Sequence, residues 1–162
     1  MFTQIYCDIA DTKLIKKYNK VSLVKGFTTN PRLMRKAGAK DYKKYAKKII
    51  SETKRKPVSL EVFADDNLSM VRQAKKINSW GRNVYVKIPI TNSRGKYTTS
   101  AIKELSKQKI KLNITAVYSA KQTKKILNVI NKDSKVLISI FVGRAADTGK
   151  DPIPEIKKSI KL

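Results

Sequence analysis

The chain has 162 residues, 41% of them apolar, which is enough for one hydrophobic core at ordinary globular composition. Its formal charge is +25 with no histidine, so proton transfer must fall to lysine, carboxylates, hydroxyls or water. The single cysteine, Cys7, excludes an intrachain disulfide and makes a poor metal-ligand set, and no run approaches about 18 consecutive apolar residues. Residues 1–9 lack a basic segment followed by a long apolar stretch, so a soluble, cytoplasmic chain of one domain (1–162) with no membrane partner is expected.

The first predicted strand, 4–8, ends on Asp8, which suits either a functional strand end or a cap for the helix predicted at 12–19. A second strand, 22–26, runs into Gly26-Phe27-Thr28-Thr29-Asn30-Pro31, where Asn30 before Pro31 reads as a helix-initiating turn. After a helix at 41–53, the strand at 58–63 carries Ser59 and Glu61, and Glu61 alone would also fit the solvent face of an edge strand. The helix at 67–79 has Leu68, Val71, Ala74 and Ile77 at three and four spacing behind the capping pair Asp66-Asn67. The strand at 83–88 leads into the helix at 98–107, for which Thr98-Thr99 is the expected cap. The strand at 111–116 carries Asn113 and Thr115, residues that would equally close a turn, and Ser119 caps a helix at 119–131. The strand at 136–141 holds Ser139 and Phe141, is followed by Gly143-Arg144, where Arg144 could be one more surface base, and precedes a helix at 154–161.

Strands alternating with helices predict βα units around a parallel sheet, because a parallel pair needs a crossover. Neither GxGxxG nor GxxxxGK[ST] is present, which leaves a barrel, whose functional residues collect at the carboxyl ends of strands. Side chains two apart share a strand face. Tyr6 and Asp8, Ser59 and Glu61, Asn113 and Thr115, and Ser139 and Phe141 therefore place polar groups near strand ends that helix-covered parallel strands would otherwise keep apolar.

Lys87, inside Val84-Tyr85-Val86-Lys87-Ile88-Pro89, is the sharpest departure. Burying an ammonium costs several kcal/mol unless it is paired or neutralised. Either the strand is misread and the lysine is on the surface, or the amine is chemically employed. A desolvated lysine forms Schiff bases with carbonyl substrates.

The charge decides less. Only seven of the 37 basic residues are arginine, whereas base readout favours the guanidinium fork. The lysines are spread over nearly every helix as a solvated surface, so no specific nucleic acid partner is expected, although attraction of phosphate or polyanion stays open.

Taken in order, six segments resemble the transaldolase family, including its small bacterial members and the fructose-6-phosphate aldolases. They are Ile5-Tyr6-Cys7-Asp8, Gly26-Phe27-Thr28-Thr29-Asn30-Pro31, Val58-Ser59-Leu60-Glu61-Val62, Val86-Lys87-Ile88-Pro89-Ile90-Thr91, Asn113-Ile114-Thr115-Ala116-Val117-Tyr118-Ser119 and Ser139-Ile140-Phe141-Val142-Gly143-Arg144. The resemblance implies a TIM-type (β/α)8 barrel of the class I aldolase kind and transfer of a dihydroxyacetone unit between sugar phosphates. It implies Lys87 as Schiff-base nucleophile, Asp8 as acid and base at the C4 hydroxyl, and Glu61 with Thr115 handling protons through a water. Thr28, Asn30, Asn113, Ser139, Phe141 and Arg144 would bind substrate, Arg144 at the phosphate, with neither cofactor nor metal and with a homo-oligomer expected.

Phe141 and Glu61 replace a tyrosine and a glutamine that the aldolases of the family are expected to carry. A phenyl ring cannot position water as a phenol can, so transfer is favoured over simple cleavage. The departure is length. A whole barrel needs eight βα units and typically more than about 200 residues, whereas about six are visible here and a phosphate-site serine from a seventh strand has no counterpart. A fragment of a longer protein is the expected reading; completion by another chain, or a truncated non-catalytic polyanion binder, are the alternatives.

Overall fold

The computed structural model describes residues 3–162 as alternating strands and helices. In chain order they are β1 (Ile5–Asp8), α1 (Thr12–Asn19), β2 (Val24–Thr28), α2 (Pro31–Lys36), α3 (Tyr42–Thr53), β3 (Val58–Glu61), α4 (Asn67–Asn78), β4 (Val84–Pro89), α5 (Thr99–Lys107), β5 (Leu112–Val117), α6 (Ala120–Leu127), β6 (Val136–Ile140), α7 (Val142–Ala146) and α8 (Ile153–Ile160). The strands hydrogen-bond in sequence order from β1 to β6. Parallel strands that neighbour one another in sequence order through helical crossovers are the connectivity of a TIM-type α/β barrel, with six βα units in place.

The residues form two compact units, and β4 contributes to both. The first comprises the chain through Glu61 together with Lys76–Val86. Here β1 pairs with β2 in the register Tyr6↔Gly26, Cys7↔Phe27 and Asp8↔Thr28, and β2 pairs with β3 through Phe27↔Val58 and Thr28↔Ser59. Asp11 caps α1 by accepting from Leu14 N at 2.9 Å, and the helix packs on α3. Ile15, Phe27, Met34, Ile49, Leu60 and Val86 fill the core with no more than 1% exposure, each large side chain contributing roughly 1.5–3 kcal/mol.

The second unit comprises Val62–Lys75 and Lys87–Leu162. Its core is Met70, Ile88, Ile90, Ile102, Leu105, Leu112 and Ile114, all fully buried. β5 and β6 pair through Leu112↔Val136, Asn113↔Leu137 and Ile114↔Ile138, then slip register before Val117↔Ile140. The slip coincides with Ala116 at φ +56°, a left-handed residue inside a strand and thus a bulge.

Several predicted boundaries move. β2 starts at Val24 because residues up to Val24 complete the turn after α1, with Val21 N donating to Tyr18 O and Val24 N to Val21 O. β3 stops at Glu61 because the amides of Phe63 and Ala64 both donate to Gln73 Oε1, at 2.8 and 3.0 Å, and so leave the ladder. α6 ends at Leu127, where Asn128 N closes the last turn on Lys124 O. Thr98 precedes α5, but its hydroxyl donates to Pro89 O at 2.6 Å and makes no cap. α2 and α7, six and five residues long, are too short to show a helical period in sequence.

Candidate functional site

The local chemistry of the first unit collects where β1, β2 and β3 end. Asp8 closes β1, and the sequence left open whether it caps α1. It does not: Asp11 performs that task, and Asp8 Oδ1 accepts from Thr28 Oγ1 at 2.8 Å. The two residues are register partners at the last rung of β1·β2, and Ile9 N then donates to Thr28 O at 3.1 Å. Asn30 fulfils its helix-initiating role, with Oδ1 accepting from Leu33 N at 2.9 Å and Pro31 in the first turn of α2. That bond uses the oxygen and leaves the amide NH2 group as a donor. Glu61 is half-buried at the end of β3, which lies between β2 and β4 in the strand order, so the edge-strand reading does not hold.

Glu61 has a neighbour that sequence reasoning did not single out. Tyr42, the first residue of α3, donates its hydroxyl to the Glu61 carbonyl at 2.8 Å. Its ring lies against Trp80 with centroids 6.0 Å apart and planes tilted by 57°. Burial pushes the phenol well above its ordinary ionisation range, with the Glu61 charge adding to the effect and the backbone bond opposing it. The available signal was a pair of tyrosines three apart, Tyr42 and Tyr45, in a helix otherwise crowded with lysine.

In the second unit, Lys87 is 7% exposed, flanked in β4 by Val86 and Ile88, which are fully buried. The surface-lysine reading therefore fails: the lysine that stands in an apolar run of the sequence is buried in the fold. Its carbonyl accepts from Val62 N at 3.1 Å, which joins the chain after β3 to β4. On β5, Asn113 and Thr115 are 1% and 2% exposed and lie within the strand rather than at a turn. Ser139 Oγ donates to Asn113 Oδ1 at 2.7 Å. Among the described residues, Thr115 Oγ1 is, with Asn19 Oδ1, a buried side-chain polar atom without a hydrogen-bond partner, a costly state for a hydroxyl.

Phe141 follows β6, with its amide donating to Val117 O at 2.8 Å and its ring edge-on to Tyr118 at 5.8 Å. Arg144 is exposed on α7. Beyond β4 the chain makes a hairpin closed by a Thr91↔Tyr97 bridge, and Asp65 anchors it by accepting from Ser93 N and Oγ at 2.7 and 2.6 Å. Those bonds from Ser93 hold the Asp65 carboxyl below its usual range. Among the described residues no helix is long and apolar enough to cross a membrane.

Fold and side chains together define a parallel βα protein with buried polar residues on its strands and one buried lysine in the fourth. The chain belongs to the transaldolase/fructose-6-phosphate aldolase family, which it matches over residues 5–162. It is 36% identical over 159 residues to the "Probable transaldolase" of Methanococcus vannielii, covering 98% of this chain and 69% of that protein. The "Probable transaldolase" of Dehalococcoides mccartyi is 37% identical over 159 residues, covering 98% and 70%. That of Nitrosopumilus maritimus is 37% identical over 148 residues, covering 91% and 62%. The chain thus spans between six and seven tenths of the length of these relatives.

Proposed function

We propose that this chain carries the lysine machinery of a transaldolase and moves a dihydroxyacetone unit from a ketose phosphate to an aldose phosphate. Family membership supports the substrate class, and the observation that carries the chemistry is Lys87, buried to 7% exposure in an apolar strand. Its amine adds to the C2 ketone, water leaves the carbinolamine, and the resulting iminium is the electron sink. Asp8 takes the C4 hydroxyl proton, the C3–C4 bond breaks, and its electron pair moves onto the iminium to leave an enamine and a free aldehyde. The enamine then attacks an acceptor aldehyde, whose oxygen regains the proton from Asp8. Hydrolysis of the new iminium releases product and Lys87.

Glu61 and Thr115 serve the water that enters and leaves. The unpartnered Thr115 Oγ1 supports this role, since a buried hydroxyl without a bond favours an ordered water. Thr28 orients Asp8 through its 2.8 Å bond. Asn30, Asn113 and Ser139 bind hydroxyls of the three-carbon unit, and the Arg144 guanidinium suits the sugar phosphate. Phe141 lacks the hydroxyl that would position a water for release of free dihydroxyacetone, which favours transfer over cleavage.

The test is reductive trapping. Borohydride added with fructose 6-phosphate should leave the mass of a reduced three-carbon unit on the peptide containing Lys87, and K87M should show none. A folded wild-type protein that acquires no adduct there refutes the proposal.

A further inference from the structure

We propose that Tyr42 and Tyr45, one turn apart on α3, are positioning residues that clamp the strand ends carrying Glu61 and Asp8. The inference rests on the proton-transfer roles given above to those two carboxylates. Tyr42 donates to the carbonyl of Glu61 itself, at 2.8 Å. Tyr45 shares its single hydroxyl proton between Ala37 O at 3.0 Å and Ala10 O at 3.2 Å. Ala10 is buried and lies two residues beyond Asp8, and Ala37 ends α2, the helix that Asn30 starts.

The geometry suits the task. Past its last ladder rung a strand carbonyl needs another donor, and a half-buried one left unpaired costs free energy. A phenol delivers that donor on a flat, rigid ring with few rotatable bonds, so the distance from helix to strand end is fixed by covalent structure. The helix is itself fixed, because Asp41 Oδ1 accepts from Lys44 N at 2.8 Å and caps the turn that carries both tyrosines. Trp80 seats the Tyr42 ring. Burial raises both phenols above their ordinary range, Tyr45 additionally beside Asp11, so each hydroxyl keeps the proton it donates.

A plain packing role makes a different statement, since phenylalanine would fill the same space. Y42F and Y45F remove only the hydroxyl, and Y18F, on an exposed tyrosine of α1, is the control. In the full chain, Y42F and Y45F should slow borohydride trapping at Lys87 by about tenfold, the loss of roughly one hydrogen bond's worth of positioning. NMR should show the Glu61 side-chain carboxyl resonance displaced in Y42F and that of Asp8 displaced in Y45F, with Y18F like wild type in every readout. Trapping rates within twofold of wild type together with unchanged Glu61 and Asp8 carboxyl resonances overturn the clamp, as does Y18F producing the same changes. If wild type itself forms no adduct, the transaldolase reading fails, and the clamp is then judged on the carboxyl resonances alone.

Discussion

Gly26 opens the segment that leads to Thr28 and Asn30, and the fold gives a steric reason for glycine there. It stands opposite Tyr6 in the β1·β2 register, and the tyrosine ring covers the space a side chain would enter. A Cβ at position 26 runs into Tyr6 Cε1, comes within 2.6 Å of Cδ1 and lies 3.0 Å from Pro57 O. Carbon pairs rest at about 3.5–4.0 Å, so the Cδ1 contact is about 1 Å too short. The Pro57 carbonyl has little room to yield, because it accepts from Phe27 N at 2.8 Å. G26A should therefore destabilise by about 1–3 kcal/mol through overpacking, and each kcal/mol lowers Tm by roughly 2–4 °C at this chain length. Urea denaturation of G26A, Y6A and the double variant measures the source of the loss. Removing the ring should make G26A at least about 1 kcal/mol cheaper, since the two sites touch. An equal cost in both backgrounds, or a G26A that loses less than about 0.5 kcal/mol, refutes the steric argument.

Three further outcomes are expected. Lys109 sits at φ +57° just after α5, where its amide donates to Ser106 O and that of Ile110 to Leu105 O, a Schellman end built on a lysine. K109G should raise the urea midpoint by the equivalent of about 0.5–1 kcal/mol, and a lowered midpoint counts against the strain. Lys56 Nζ donates to Asn19 O at 2.7 Å and Val21 O at 3.0 Å, tying down the end of α1, so K56M should cost about 1–2 kcal/mol; an unchanged midpoint shows those bonds contribute nothing. Tyr42 is raised above its ordinary 10.0 in the fold, so the unfolded chain loses this proton first. Its contribution is complete below about pH 10 and declines above it by up to about 1.4 kcal/mol per pH unit, and Y42F should flatten that decline; parallel alkaline stability curves for the two proteins would show the phenol is not linked to folding.

Much of this architecture was legible because its signals are local. Alternating apolar runs and helical stripes are written in neighbouring residues, so six strands and the longer helices emerge within a few positions of their ends. Lys87 was legible for the same reason, being a charge inside an unbroken apolar run. Asp8 and Thr98 show where such reading stops. Both stand beside helix starts and suit capping, yet Asp8 takes a proton donor from Thr28, twenty residues away, and Thr98 gives its hydroxyl to Pro89. Capping propensity is local, whereas the choice among partners is made by what the register brings near.

By itself the sequence determined the βα alternation and the family, and it singled out Lys87 as a charge in an apolar strand, because each depends on residue type and order. Only the tertiary structure decided that Lys87 is buried, that Asp8 is bound to Thr28, that Thr115 Oγ1 lacks a partner and that Tyr42 holds the end of β3. Burial and hydrogen bonding are properties of surroundings assembled from distant segments. A tyrosine in a lysine-rich helix shows no such role until β3 ends 2.8 Å from its hydroxyl.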